Sequence, residues 1–523
     1  MRPWPAPRWA RPALPLVAGA LPVLAFPEPA LWWLAYVALV PWLLLLRAAP
    51  SGRAAAFAGW LGGTGFMLAM HHWLMPSLHV FILLLAALLG LLWLPWGWLV
   101  HRLLAGTPGG GRLAAAVVLI PSGWLLAELV RSWEYLGGPW GLLGASQWDV
   151  RPALRLASVG GVWLVSFLVV AVNTVVAALL AVPRARRVAV VSLVSVAVLT
   201  GAVWLWAPRP EPAGSTRIAV VQIGETQSRQ ERFERGEELT RQLAGRHPDL
   251  VVWGESSVGY DLGSHPALVR RLAALSRLTD APLLVNVDSR RADRPGIYKS
   301  SILVDEHGLT GQRYDKMRLV PFGEYVPARS LLGWATSVGR AADEDRRRGQ
   351  EPVVMRADGL RFGPLVCFET AFPDMSRHLA ADGAQILVAQ SSTSTFQHTW
   401  APEQHATLGA LRAAESGRPM VHATLTGVSA LYGPDGERAG APMGTETSAA
   451  RLTEVPMATG TTLYVRLGDW TVWLALSSLA AYGAVEGVRA VRGRGADSRL
   501  RSGGQGGRGK GRAEFSSTVP ARR

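Results

Sequence analysis

Long apolar runs with short polar breaks fill the chain from about residue 10 to 207, and beyond that point the apolar runs become short and alternate with polar stretches. A bilayer core about 30 Å thick takes about 20 mostly apolar residues per helix, and shorter runs serve where the bilayer thins or flanking side chains snorkel. Candidate spans therefore lie near 12–27, 30–46, 54–70, 77–100, 113–130, 157–182 and 188–207, with an eighth near 468–487. Arg2, Arg8 and Arg11 precede the first span as they would in a signal peptide, but no small-residue cleavage site follows and more spans come at once, so it is read as retained.

The Pro-rich stretch "APRPEPAGSTR" (207–217) leads out of this region. Strand-like runs follow at 217–222, 249–256, 281–288, 300–308, 363–370, 384–392 and 418–436, with helical patterns at 229–246, 265–279, 372–382 and 402–417. Strands that alternate with helices predict one α/β domain with buried sheets. The expected division is a seven-helix membrane domain (1–207), an α/β domain (216–466), an eighth transmembrane helix (467–488) and a basic tail (489–523).

Arginines orient the spans. Arg47 and Arg53, Arg102 and Arg112, and Arg184, Arg186 and Arg187 fall in alternate loops, and the basic tail follows the last span. The excess of Lys and Arg in cytoplasmic loops puts these, with the N-terminus, in the cytoplasm. The intervening loops "FPEPA", "HHWLMPS" and "RSWEYLGGPWGLLGASQWDVRPALR" carry little or balanced charge, so residues 208–467 are expected outside the cytoplasm.

Composition agrees: 523 residues, 49% hydrophobic and 17% charged, with 22 Trp and a mean hydropathy of +0.19, describe a membrane protein rather than a soluble one. The net charge of +15 does not point to nucleic acid, because ten Lys or Arg against two acidic residues, a net of +8, lie in the Gly-rich tail from Arg489 onward. That tail has too few apolar residues to fold and no interleaved aromatics, and it reads as a disordered topology signal attracted to anionic lipid. A single cysteine rules out an internal disulfide and a thiolate metal cluster, and the eleven histidines include no HExxH or comparable metal spacing. No nucleotide motif occurs, and ATP is absent outside the cytoplasm, so the expected chemistry is transfer or hydrolysis of an already activated acyl group.

Three reactive groups stand where an apolar strand gives way to a loop: Glu255 in "VVWGES", Lys316 in "YDKMRLVPFGEYVP" and Cys367 in "PLVCFE". Taken singly, a strand-end acid, a solvated lysine and a buried core cysteine explain them. Together they supply a base, a cation and a nucleophile, the minimum for acyl transfer through a thioester. A Cys–His pairing with His405 or His422 is the alternative, and it leaves Glu255 and Lys316 without a role.

This combination resembles the carbon-nitrogen hydrolase (nitrilase) superfamily. With seven helices before and one after, residues 10 to about 490 are similar to the apolipoprotein N-acyltransferase family, as are the stretches "GGPWGLLGASQ" (137–147), "LVPFGEYVP" (319–327), "CFETAFP" (367–373) and "RAAESGRPMVHATLTGVSA" (412–430). The chain departs from that pattern at "AQSSTSTF" (389–396), where an Asn-Asp-x-Trp-Phe stretch is frequent, and at Gly224 in "VVQIGET", where Asn is. The resemblance implies an extracytoplasmic αββα sandwich inserted between eight transmembrane helices of a bacterial cell-membrane protein, working without metal or cofactor. It implies that Glu255 takes the Cys367 proton, that Cys367 accepts an acyl chain from a phospholipid, and that Lys316 with backbone N–H groups stabilises the oxyanion. The acceptor is the α-amino group of the diacylglyceryl-cysteine of an apolipoprotein, in ping-pong order. Glu324 is expected to position Lys316 or the incoming amine, and Glu369 to support the nucleophile. Trp140, Trp253 and Tyr325 are expected near the substrates, with the loop 328–350 as a lid. Some proteins of this kind are linked to a polyprenyl-phosphate mannosyl synthase, a partner for which the tail is the expected docking segment.

Overall fold

The computed structural model describes residues 10–182, 185–290, 295–326, 329–332 and 344–503. Its first half is helical: α1 (Ala10–Ala20), α2 (Val40–Ala48), α3 (Gly52–Met70), the single turn α4 (Met75–Leu78), α5 (Phe81–Gly90), α6 (Leu94–Leu104), α7 (Gly110–Arg131), α8 (Arg151–Ala181) and α9 (Arg186–Trp206). Five stretches among the described residues are long and apolar enough to cross a bilayer: Phe81–Leu104, Gly110–Arg131, Arg151–Ala181, Arg186–Trp206 and Trp470–Arg492. The first two expected spans are shorter and interrupted, since α1 passes into a 3-10 turn at Leu21–Ala25 and another turn, Trp32–Tyr36, precedes α2. Pro22, Pro29 and Pro41 account for this, because proline donates no backbone hydrogen bond and fixes φ.

Many of the tryptophans pack inside this region. Trp42, Trp93, Trp96 and Trp124 form edge-on ring pairs with centroids 4.9–6.1 Å apart, each such pair contributing about 0.5–1.5 kcal/mol beyond burial. Three of the four indoles find acceptors, Trp96 Nε1 donating to Ile120 O at 3.0 Å, Trp42 Nε1 to Ala58 O at 3.2 Å and Trp124 Nε1 to Glu128 Oε1 at 2.9 Å. Helix α3 approaches its neighbours through glycines, and a Cβ on Gly59 would stand 2.5 Å from the Trp93 carbonyl oxygen.

Helix α8 is two helical stretches joined at Gly160 and Gly161, whose backbone is not helical. Gly161 has φ +68, and a Cβ there would meet the Tyr464 ring at 2.6 Å. The break frees the Val162 N–H, which donates to Glu415 Oε1 at 2.7 Å.

From Glu211 the chain forms strands β1 (Glu211–Gln222), β2 (Leu250–Trp253), β3 (Leu283–Arg290), β4 (Ile297–Asp305), β5 (Gly308–Asp315), β6 (Arg346–Arg347), β7 (Met355–Ala357), β8 (Leu360–Val366), β9 (Ile386–Ser391), β10 (Met420–Thr424), β11 (Ala430–Tyr432) and β12 (Ala449–Thr459). One sheet has the order β12-β1-β2-β3-β4-β5, with β6 beside β4, and the other β11-β10-β9-β8-β7. Strands β1, β2 and β3 run parallel, as do β8, β9 and β10. The central strands β2, β9 and β10 are buried along their whole length, which is why they read as unbroken apolar runs rather than alternating ones.

Helices α10 (Arg229–Arg241) and α11 (Pro266–Thr279) cover the outer face of the first sheet, α12 (Arg329–Leu332) is a single turn between β5 and β6, and α13 (Pro373–Ala381) and α14 (Ala401–Ser416) cover the outer face of the second sheet. The sheets face each other, with β10 against β1 and β2 and β8 against β4. This is the expected αββα sandwich.

Three expectations change in detail. The run 363–370 stops being strand at Val366, and Cys367–Ala371 is a 3-10 turn. The run 418–436 is two strands, β10 and β11, and the partly exposed β5 and β12 lie where no strand was expected. After the short helix α15 (Leu463–Leu467), helix α16 runs from Trp470 to Gly503, past the expected start of a disordered tail at 489. Residues 504–523 of that tail, and 328 and 333–343 of the expected lid, lie outside the described residues. By its internal contacts the chain divides after Ala475, and all the groups of the candidate active site lie before that point.

Candidate active site

Strand ends in the two sheets converge on one cluster. Glu255 stands two residues beyond β2, Cys367 directly follows β8, and Ser392 directly follows β9. Lys316 follows β5, tied by its backbone N–H to Lys299 O on β4 at 2.9 Å. The two sheets are joined here through the Glu255 N–H, which donates to Ser391 O at 3.1 Å.

Cys367 is half-buried and has φ +53, a left-handed conformation that turns the chain sharply and sets the thiol at the tip of the bend. Both sides of the bend are anchored: Val366 N–H donates to Glu369 Oε2 at 2.7 Å, and His405 Nε2 donates to Cys367 O at 2.9 Å. Sγ lies 3.9 Å from Ser392 O, beside the charge of Glu255. Burial, then the adjacent Glu255 charge, pushes the thiol up to about 12, against the pull of Lys316.

Lys316 is 1% exposed. Its Nζ lies 2.9 Å and 2.8 Å from the two Glu324 carboxylate oxygens and 3.7 Å from Glu255 Oε1. Burial works against its charge, but Glu324 and then Glu255 outweigh it and hold the ammonium above its ordinary value. Glu324 also accepts from Val320 N–H at 2.9 Å, so the loop after Lys316 is folded around this carboxylate.

Glu369, fully buried, joins the lysine segment to the nucleophile turn. Its Oε1 accepts from Tyr314 OH at 2.7 Å, Met317 N–H at 2.7 Å and Arg318 N–H at 3.0 Å, while Oε2 holds Val366. It therefore touches the chain on both sides of Lys316 and just before Cys367.

The structure also places a group that sequence reasoning missed. Lys299 Nζ lies 3.1 Å from Glu255 Oε1 and 3.8 Å from Asp288 Oδ1, and donates to Ser256 Oγ at 2.9 Å. For Glu255, burial favours the neutral acid, but Lys299 and then Lys316 more than offset it and hold the carboxyl below its usual value. The available signal was a lone charge between "GIY" and the apolar "SSILV" of β4.

The histidine alternative loses its geometry. His405 spends Nε2 on the Cys367 backbone rather than on Sγ, and burial lowers it to about 4. His422 stacks edge-on against the His405 ring at 4.7 Å. Among the described residues no group of three or more His, Cys, Asp or Glu is placed to hold a metal ion.

The three expected substrate-contact residues fare differently. Trp253 is entirely buried in the layer between the first sheet and α10, beside Phe233, with Nε1 donating to Thr240 Oγ1 at 3.0 Å. It is a core residue, because β2 is buried on both faces and Trp253 points away from the cluster. Trp140 is buried, 7% exposed; its Nε1 donates to Gln404 Oε1 at 3.0 Å and its ring lies 5.5 Å from His405. Tyr325 is half-buried, with Tyr135 at 6.4 Å and the Arg348 guanidinium 5.5 Å from its ring. Gly224, one departure noted in the sequence, has φ +82 and donates its N–H to Leu425 O at 2.8 Å across the two sheets.

Comparison with known proteins follows the same division of the chain. Residues 217–463 match the carbon-nitrogen hydrolase family model, and residues 18–175 match that of the apolipoprotein N-acyltransferase N-terminal domain. The apolipoprotein N-acyltransferase of Azotobacter vinelandii is 32% identical over 501 residues, 89% of this chain and 93% of that one. That of Pseudomonas aeruginosa is 31% identical over 457 residues, 82% of this chain and 87% of the relative. Among solved structures, an amidase from Nesterenkonia sp. is similar over 50% of this chain and 94% of its own, at 21% identity and a TM-score of 0.35. Matched in both halves, and spanning most of the length of relatives more than 30% identical to it, the chain belongs to the apolipoprotein N-acyltransferase family.

Proposed function

We propose that this protein transfers an acyl chain from a phospholipid, through a thioester on Cys367, to the α-amino group of the N-terminal diacylglyceryl-cysteine of apolipoproteins. The observation that carries the reading is the meeting of Glu255, Lys316 and Cys367 in one largely buried cluster, within a chain of this family. A thiol held near 12 is not a free thiolate at neutral pH, so its proton must leave as the sulfur attacks. Glu255 takes that proton while Sγ bonds to the ester carbonyl carbon. Lys316 and backbone N–H groups beside Cys367 stabilise the oxyanion, a contribution of about 3–4 kcal/mol for one such donor. Collapse breaks the ester C–O bond, and the departing lysophospholipid oxygen recovers the proton from Glu255. The acceptor amine then attacks the thioester, Glu255 takes its proton, and as the C–S bond breaks that proton passes to the departing sulfur, giving the amide, the free thiol and the regenerated carboxylate.

The connection between α7 and α8 supports a lipid donor. Glu134, in that connection, accepts from Arg318 at 2.9 Å, and Trp140 is tied to α14 next to His405, so the membrane helices carry their loop directly onto the cluster. On this reading the α/β domain faces the outer leaflet.

The test is incubation of purified protein with phospholipid carrying a labelled acyl chain and a diacylated lipopeptide. Wild type should form labelled enzyme and then labelled amide, and Cys367→Ala neither. Wild type that forms neither product, or Cys367→Ala that matches wild type, overturns the proposal. Labelled fatty acid released without N-acylated peptide would instead make the chain a lipid-fed hydrolase.

A further inference from the structure

Two lysines face Glu255, and their surroundings divide the work between them. Lys316 is committed to Glu324, both of whose carboxylate oxygens lie within 2.9 Å, and it stands 3.7 Å from Glu255. Lys299 makes the shorter contact, 3.1 Å, to the same Oε1. Its stem is fixed by register, since Lys299 on β4 pairs with Asp288 on β3, and its carbonyl receives the Lys316 N–H. Its head is fixed by Ser256 Oγ at 2.9 Å, on the residue next to Glu255, whose own backbone is held in turn by Asn286 Oδ1 at 2.8 Å.

We propose that Lys299 is a positioning residue for the acyl transfer: its ammonium pins Glu255 through Oε1 and leaves the other carboxylate oxygen to the Cys367 thiol. The proposal rests on Glu255 being the base. The remaining charged and titratable groups around the pair are Asp288 on β3, Glu324 in the loop after Lys316, and Arg346 on β6, which lies 3.4 Å from Asp288. Arg232 on α10 donates to the Ser256 carbonyl at 2.9 Å, and Cys367 and His405 complete the set. Lys299 is 13% exposed at its side chain against 1% for Lys316, so it stands on the solvent side of Glu255. It can therefore hold the carboxylate without occupying the space beside the thiol that a reacting carbonyl needs.

Two effects follow from removing its charge. Glu255 gains a rotamer in which it no longer faces Cys367, and its proton affinity rises because one of two adjacent cations is gone. Sign and position both matter: a base that binds its proton more tightly is protonated over a wider range of acid pH, so the acid limb of the rate profile moves to higher pH.

The experiment uses the full chain in phospholipid vesicles and measures single-turnover formation of the labelled Cys367 thioester from pH 5 to 9. Lys299→Met should slow thioester formation at neutral pH about 10- to 100-fold and move the acid limb upward. KM for the phospholipid should stay near wild type while kcat falls, and Lys299→Arg should return the limb to its wild-type position. Lys299→Gln keeps a donor for Ser256 without the charge, and it should show the same limb shift if the Met variant does not fold. An unmoved limb in the folded variants, or a loss confined to KM, overturns the role of Lys299. Glu255→Gln and Cys367→Ala are run beside them. Thioester formation surviving in those two would overturn the base-and-nucleophile reading itself, whereas their failure with an unmoved Lys299 profile removes only the present inference.

Discussion

Cys367 holds a left-handed backbone, φ +53, although its side chain carries a Cβ. Such a conformation costs a residue other than glycine on the order of 1 kcal/mol. It persists because His405 grips the Cys367 carbonyl and Glu369 the preceding N–H, so relaxing the bend would break both hydrogen bonds. Cys367→Gly should therefore be more stable than Cys367→Ala by about 1 kcal/mol, with both unable to form an acyl-enzyme. Thermal or denaturant unfolding in detergent measures this directly, and equal stability of the two variants would show that no strain is stored at the bend. The nucleophile was legible in the sequence because it ends an apolar strand and has the right companions. Lys299 was not, since its partners Asp288 and Glu255 become neighbours only through strand register, and register is not written in local composition.

Helix α8 makes the same point for elements. Its apolar run reads as one span because a Gly–Gly pair changes hydropathy little, so the break at Gly160–Gly161 is invisible until Tyr464 and Glu415 are seen filling it. Strand β2 is the converse: buried on both faces, it has no alternation to say which layer Trp253 enters. By contrast, the central strands and the helices between them were legible, because strong apolar runs and amphipathic stretches are local properties. Glu415 lends itself to a pH test. It is 1% exposed with Arg412 at 2.9 Å, and burial outweighs that partner and pushes its carboxyl up to about 7, against about 4.3 in an unfolded chain. A carboxyl raised on folding favours the folded state when protonated, so its contribution is full below the unfolded value and is lost as pH rises through about 7. Gln cannot titrate. The stability of Glu415→Gln relative to wild type should therefore rise between pH 5 and 8, by roughly 1–3 kcal/mol. A difference that stays flat across that range would mean that Glu415 is ionised throughout and paired with Arg412.

At the scale of the whole molecule, the side of the membrane on which the cluster works can be argued without counting every span. The α/β domain is entered from α9, 21 residues long, and left through the apolar stretch Trp470–Arg492 of α16, 23 residues long. If each of these crosses the bilayer once, both ends of the domain emerge on one side, whatever the interrupted helices before α3 do. The far end of α9 carries Arg186 and Arg187, and the far end of the α16 stretch Arg489 and Arg492. Lys and Arg near span ends are retained in the cytoplasm, so both charge clusters favour the same orientation, with the domain outside. In a Cys367→Ala background no other thiol is present. A cysteine introduced as Glu306→Cys, exposed at the β4–β5 turn, should react with a membrane-impermeant maleimide on intact spheroplasts. One introduced as Arg187→Cys, exposed at the start of α9, should react only after lysis. The opposite pattern would put the cluster in the cytoplasm, away from the outer-leaflet lipid and the translocated lipoproteins on which the proposed reaction depends.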